Sequence, residues 1–284
     1  MTEKMLTATG LCKRYGRIIA VTDATFSVLK GGITTFLGEN GAGKTTIIKI
    51  ILGFLKSDSG RVQMRAARIG YVPEHPVFFG WLNGKDILSY TARAHGIGHS
   101  ALRDLVETFS EKIAFDLELL SRNVRTYSLG NKKKFSFLQS LIIDPDFFIV
   151  DEPFNSLDPH SIKKVRDLFL EMKREGKTLF LSSHIISEVE KISDDFIIIK
   201  KGRILLQENL NIFKDRFIYV EIKDSSLKLE ELRTISPYVK GNDSELVMLM
   251  EKSRLESMED LLKTVSCVKK HDLDLEKVFL FFTE

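Results

Sequence analysis

This sequence predicts an α/β fold: a parallel sheet covered by helices on both sides, followed by a small α+β appendage. Short apolar runs at Ile33–Leu37, Phe147–Val150, Thr178–Leu181 and Phe196–Ile199 have the continuous character of strands buried on both faces. Helical periodicity fills the intervals, at Thr45–Leu55, Pro159–Arg174 and Ile185–Ile192. Beyond Gln207 the pattern changes to short strands near Phe217–Ile222 and Glu245–Met250, a helix near Leu255–Val265 and a closing helix from Leu273.

Each element has a local reason. Met5–Leu29 alternates apolar and polar residues as strands do, with a turn at Tyr15-Gly16. Asp86 to about Phe115 and Lys132–Ile143 carry helical spacing, which makes residues 83–143 a helical insertion. Pro159 opens its helix where a missing N–H breaks no hydrogen bond. The expected organisation is one domain over residues 1–207 and an extension over 208–284.

Bulk composition narrows the function classes. The chain has 284 residues, 43% of them hydrophobic, and a formal net charge of +3. Its charges are spread along the chain, so nucleic acid is not expected as the main ligand. Cys12 and Cys267 fit neither a metal-site spacing nor a disulfide framework, which suits a reducing cytosol. Met1–Lys13 lacks the apolar core of a signal peptide. The longest apolar run, Ile47–Leu55, is broken by Lys49 and Gly53. Any membrane role is therefore expected from one side.

Gly38-Glu39-Asn40-Gly41-Ala42-Gly43-Lys44-Thr45 has the spacing G-x-x-x-x-G-K-[ST] between an apolar strand and a helix. Glycines let the backbone curl so that successive N–H groups point at phosphate oxygens, and the helix N-terminus adds its positive end. Lys44 is expected to reach the β- and γ-phosphates, and Thr45 to offer its hydroxyl to Mg²⁺. Such a loop alone leaves a GTPase, a kinase, a helicase and a transporter ATPase open.

The strand at Phe147–Val150 ends in Asp151-Glu152, at the carboxyl end where open α/β sheets bind ligands. Asp151 is placed to hold Mg²⁺, and Glu152 to polarise a water attacking the γ-phosphate.

The run Asp151-Glu152-Pro153-Phe154-Asn155-Ser156-Leu157-Asp158-Pro159 resembles the Walker B motif and D-loop of ABC (ATP-binding cassette) ATPases. Ser182-Ser183-His184-Ile185-Ile186-Ser187-Glu188-Val189-Glu190 is similar to that family's switch segment, with His184 as its histidine. Tyr15 resembles the aromatic residue that stacks on adenine, and otherwise reads as a hairpin tyrosine. Tyr127-Ser128-Leu129-Gly130-Asn131-Lys132 resembles the signature that completes a partner's site, with Leu129 in place of a glycine and Asn131 in place of a glutamine. Ser128 and Gly130 are retained. Glu74 stands where the family usually has a glutamine that contacts Mg²⁺.

Glutamate there resembles the branch that pairs with ABC-2 type permeases, as does the terminal Asp274-Leu275-Glu276-Lys277-Val278-Phe279-Leu280. Phe78, Phe79, Trp81 and Leu82 read either as core or as a groove for a membrane subunit. Lys132, Lys133 and Lys134 at a helix start oppose its dipole, which points them toward phosphate or a partner.

The resemblance implies a P-loop NTPase with a RecA-like core, an antiparallel β subdomain and a helical insertion. It further implies two chains, identical or homologous, closing head to tail around two Mg-ATP. Lys44, Thr45, Thr46, Asp151, Glu152, His184 and Glu74 come from one chain, with Gly38, Asn40, Gly41 and Gly43 in the loop. Ser128, Gly130 and Asp158 come from the other. Such a subunit sits on the inner face of the cell membrane and drives separate integral-membrane permease subunits, in export. Rival readings are an ABC ATPase acting on ribosomes or nucleic acid, and a regulatory subunit that binds ATP without turnover. The single cassette, the short segment between Glu74 and Ser128, and the presence of Glu152 with His184 disfavour them.

Overall fold

Two long strands open the chain, β1 (Lys4–Tyr15) and β2 (Ile18–Leu29), paired antiparallel across a turn in which Gly16 takes φ 57°. The computed structural model describes residues 3–223, 232–233, 236–242, 245–254 and 268–283. Strand β3 (Ile33–Leu37) follows, then helix α1 (Lys44–Ile51) and β4 (Ser59–Met64). Strand β4 joins the other edge of β1, completing a three-stranded antiparallel sheet.

The main sheet is built from β3, β5 (Ile69–Val72), β6 (Phe147–Asp151), β7 (Thr178–Ser183), β8 (Asp195–Lys200) and β9 (Arg203–Asn209). Its order is β5-β6-β7-β3-β8-β9, and the pairings β5–β6, β6–β7, β7–β3 and β3–β8 are parallel. Every residue of β3, β6 and β7 is buried, as their unbroken apolar character predicts. Residue alternation then feeds two cores. On one side Phe26, Phe36 and Phe180 stack with centroids 5.5–6.0 Å apart, joining the antiparallel sheet to the parallel one. On the other, Phe148 packs on Phe137 and Phe169 at 6.2 Å, joining β6 to two helices, α4 (Leu129–Leu141) and α5 (Pro159–Arg174).

The helical insertion comprises α2 (Gly84–Ala94), α3 (His99–Lys112), two 3₁₀ turns and α4. The expected helix from Asp86 to Phe115 is broken because Gly96 adopts φ 71°, a left-handed stop that glycine makes without steric cost. Helix α1 ends at Ile51 rather than Leu55, for the same reason at Gly53, φ 74°. Helix α4 starts at Leu129, because Ser128 caps it by accepting from the Asn131 N–H at 3.2 Å. The helix expected over Ile185–Ile192 is a single turn, α6 (Ile186–Val189).

The chain divides into two units, Met1–Ile204 and Leu205–Glu284, the division falling inside β9. The second unit holds α7 (Leu210–Arg216), β10 (Phe217–Ile222), β11 (Val239–Asn242), β12 (Glu245–Glu251), β13 (Val268–His271) and α8 (Leu275–Thr283). Its antiparallel sheet has the order β11-β12-β10-β13 over a small core that includes Val220, Ile222, Leu246 and Met248. The helix expected at Leu255–Val265 lies outside the described residues. Strands β4, β11 and β13 and helix α7 carry too few apolar residues in period to have been signalled by pattern.

Gly70 sits opposite Phe148 in the β5–β6 register, and a Cβ there would lie 2.6 Å from the Phe148 ring and 3.0 Å from Pro145. Overpacking of this kind costs about 1–3 kcal/mol, more than the ~0.5–1 kcal/mol gained by replacing a strand glycine. Gly70→Ala is therefore expected to lower unfolding free energy by about 1–2 kcal/mol, read from denaturant midpoints at unchanged m-value.

Candidate active site

Three strand ends build the site. Parallel register sets Leu37 beside Ser183 and Asp151 beside Ser182, so the residues following β3, β6 and β7 emerge together at the carboxyl edge of the sheet. Between β3 and α1 the glycine loop lies tight against its neighbours. A Cβ on Gly38 would meet the Ile199 side chain at 2.7 Å, and one on Gly43 would meet the Ala20 carbonyl at 2.6 Å. Gly43 also takes φ 107° as the N-cap of α1, with no side-chain cap and no acidic residue in the first turn. The first N–H groups of that helix thus keep their unmet donors, the arrangement that binds anions.

Lys44 is buried, its Nζ donating to the Gly38 carbonyl at 2.5 Å and lying 3.3 Å from Glu152 Oε1. The Thr45 hydroxyl donates to Asp151 Oδ2 at 2.7 Å, and the Ser182 hydroxyl donates to Oδ1 of the same carboxylate. Ser182 Oγ also accepts from the Glu152 N–H at 3.1 Å. Glu152 adopts φ 51°, a left-handed conformation that a non-glycine residue holds only where its surroundings fix it. Its Oε2 accepts from the His184 N–H at 3.2 Å and lies 2.8 Å from His184 Nδ1. Its Oε1 is buried with no hydrogen bond and lies against the Lys44 ammonium. A pocket of about 300 Å³ opens beside this network, lined by Glu39, Asn40, Gly41, Gly43, Lys44, Thr45, Thr46, Glu74 and Glu152, and by Ile18, Ile19 and Ala20.

The geometry joins a phosphate-binding loop to an acidic strand end and a histidine. The family model described as ABC transporter matches residues 21–155. An ABC transporter ATP-binding protein of Methanocaldococcus jannaschii is 30% identical over 94% of this chain and 97% of its own length. The chain belongs to the ABC transporter ATP-binding proteins. A lantibiotic transport ATP-binding protein of Streptococcus pyogenes is 32% identical over 72% of this chain and 90% of its own. The solved structure of an ATP binding subunit of an ABC transporter matches at TM-score 0.68 with 29% identity, over 74% of this chain and 92% of that one. Among the described residues no helix is long and apolar enough to cross a membrane.

Not every residue expected at an ABC site stands in this pocket. Tyr15 is not among its lining residues; it is half-exposed with Lys13 Nζ 5.9 Å from its ring centroid, and Ile18 and Ile19 provide the apolar wall instead. Ser128 and Gly130 stand at the start of α4, outside the pocket lining. Asp158 caps α5, accepting from the Ser161 N–H at 3.0 Å and the Ser161 hydroxyl at 2.5 Å. Those Ser161 bonds, and then Lys134, hold its carboxyl well below the usual range. Glu74 lines the pocket and accepts from Asn155 Nδ2 at 3.5 Å.

The lysine run requires a correction. Lys133 is not presented to phosphate or partner: its side chain is only 1% exposed, and Nζ donates to the carbonyls of Pro73 at 2.9 Å and Asp151 at 2.7 Å. Burial pushes the ammonium down to about 8, against the opposing pull of Asp151, Glu152 and Glu74. Lys134 is also turned inward, to the Ala114 carbonyl at 3.0 Å. Side chains of this length carry their charge away from the axis of their helix, so these ammonium groups end at main-chain carbonyls and not before the helix dipole.

Sequence pattern gave no hint of Ser182 as a site residue; its place follows from the register opposite Asp151. Ser182→Ala would strip one bond from each of Asp151 and Glu152 in a buried setting. A loss of about 1–3 kcal/mol is expected, measured by chemical denaturation.

Proposed function

We propose that this chain binds and hydrolyses ATP as one of two cassettes that close around two nucleotides and drive separate permease subunits. The observation that carries the reading is the continuous network Lys44–Glu152–His184 with Thr45–Asp151–Ser182 at one edge of the sheet. Lys44 and the uncapped start of α1, with the loop backbone from Gly38 through Asn40, Gly41 and Gly43 to Thr46, hold the phosphates. Glu152, its Oε2 fixed by two donors from His184, has a second oxygen free of hydrogen bonds to orient the attacking water and accept its proton. His184 keeps that carboxylate in place. Ile18 and Ile19, at the hairpin that Tyr15 precedes, bound the base.

The donor set suits a hard cation. Thr45 hydroxyl and Asp151 carboxylate oxygens lie together at 2.7 Å, and the Glu74 carboxylate lines the same pocket. These three would hold Mg²⁺, which when bound neutralises phosphate charge. Ser128 and Gly130, at the capped start of α4, and Asp158 complete the second copy's site. Residues 1–207 form this cassette and 208–284 an extension to it.

A location on the inner face of the membrane and a role in export follow from the resemblance. The relative named for lantibiotic transport supports coupling to a transporter. So does an apolar groove of about 620 Å³ that includes Tyr71, Phe78, Phe79, Trp81, Leu82 and Tyr90 in its lining, in which Trp81 is 76% exposed. A patch of that kind suits a helix of a permease subunit.

Glu152→Gln is expected to bind ATP with little change while turnover falls by about 10²-fold or more, the scale of losing a general base. Purified from native membranes with ATP and Mg²⁺, this variant should carry a multi-span membrane protein in stoichiometric amount. Ribosomes or DNA-bound partners in its place would favour the rival class. Trp81→Ala should weaken permease association by about 2 kcal/mol, as loss of a buried aromatic anchor does, with basal ATPase unchanged. Equal loss of both would refute the groove.

A further inference from the structure

Lys133 is a buried cation with no part in the chemistry described so far. Its Nζ bonds the last carbonyl before Glu74, that of Pro73, and the last carbonyl of β6, that of Asp151, at 2.9 and 2.7 Å. It lies in the second turn of α4, the helix that begins at Ser128 and Gly130. The same helix touches the strand ends at two further points. A Cβ on Gly130 would stand 2.6 Å from the Ser156 carbonyl, so the first turn of α4 rests directly on the loop after Glu152. The Ser140 hydroxyl donates to the Tyr71 carbonyl of β5 at 2.7 Å.

An apolar side chain would fill this position without the desolvation that a buried ammonium costs. What an apolar side chain lacks is the ability to tie two main-chain carbonyls to one point. Those carbonyls belong to the residues that immediately precede Glu74 and Glu152. Their displacement would move the carboxylates that face the γ-phosphate and its cation.

We infer that Lys133 is a positioning residue that ties a chain's own hydrolytic carboxylates to the helix end it presents to the other chain's nucleotide. The inference rests on the two-cassette reading above. It assigns the link between the two nucleotide sites to a pair of hydrogen bonds within one chain. Closure of α4 onto the partner's nucleotide is then felt at Asp151 and Glu152, because Lys133 is bonded to the strand end that holds them.

The test uses the full chain, with nucleotide affinity read by a fluorescent ATP analogue and turnover read as a function of ATP concentration. Lys133→Met keeps length and apolar bulk while removing both donors. Its nucleotide affinity is expected within about 3-fold of the unaltered chain, its kcat reduced by about 10-fold or more, and its Hill coefficient for ATP lowered toward 1. Lys133→Arg, which keeps charge and donors, should recover turnover to within about 3-fold. If Lys133→Met does not fold, Lys133→Gln with its shorter neutral donors takes its place, and should show the same split between affinity and kcat at about 3-fold or more. Turnover unchanged in the Met or Gln variant, or lost only in proportion to affinity, or unrecovered by Arg, overturns the inference. Absence of ATP hydrolysis in the unaltered chain is a different result, and overturns the reading on which the inference rests.

Discussion

Everything at the nucleotide edge depends on burying Lys44 against Glu152. The two side chains are 6% and 4% exposed and lie 3.3 Å apart. Taking two charges out of water is repaid only where geometry is tight and the remaining donors and acceptors are met. Lys44 is met by the Gly38 carbonyl, and Glu152 by both nitrogens it faces on His184. Each of these partners ends a different strand, or begins the segment after one. The pair therefore requires β3, β6 and β7 in their observed register, and a slip of one residue would turn Asp151 away from Ser182 and leave the charges unmatched.

That requirement reaches into the loop itself. Gly38 and Gly43 are pressed onto Ile199 and the Ala20 carbonyl, so the loop backbone is fixed by the hairpin on one side and by β8 on the other. With its path set by these contacts, the loop holds its N–H groups in fixed positions. Donors that need no rearrangement stabilise developing charge more effectively than donors that must be reoriented. The strained backbone at Glu152, φ 51°, belongs to the same economy of placement. It turns the carboxylate from the strand direction toward Lys44 and His184, where two hydrogen bonds to Oε2 and the Lys44 ion pair at Oε1 keep it.

The parts of this arrangement legible in the sequence are those set by local chemistry. The loop spacing, the apolar strands ending at Asp151, the Tyr15-Gly16 hairpin and the helix opened by Pro159 all lie within a few residues of their cause. What was not legible depends on register or on side-chain reach. Ser182 owes its role to a neighbour thirty-one positions away, and nothing about an alternating or periodic pattern marks it. The helix expected over Asp86–Phe115 was interrupted by Gly96, a residue that pattern alone treats as tolerable. The lysine run was expected to face phosphate or a partner, because three cations at a helix start oppose its dipole. Lys133 is instead the most buried cation of the described chain.

The start of α4 separates two demands that a short motif presents as one. Ser128 caps the helix through its own Oγ, and Gly130 is required where its backbone meets the Ser156 carbonyl with no room for a Cβ. Both constraints act within the chain, before any partner approaches. Leu129, between them, is 69% exposed and answers to neither. The departure of this sequence from the glycine that its resemblance leads one to expect therefore falls at the position the chain's own packing leaves free. In the proposed pair of cassettes, the bulk added there would face the other copy. The cap and the close approach that orient the helix are preserved on either side of it.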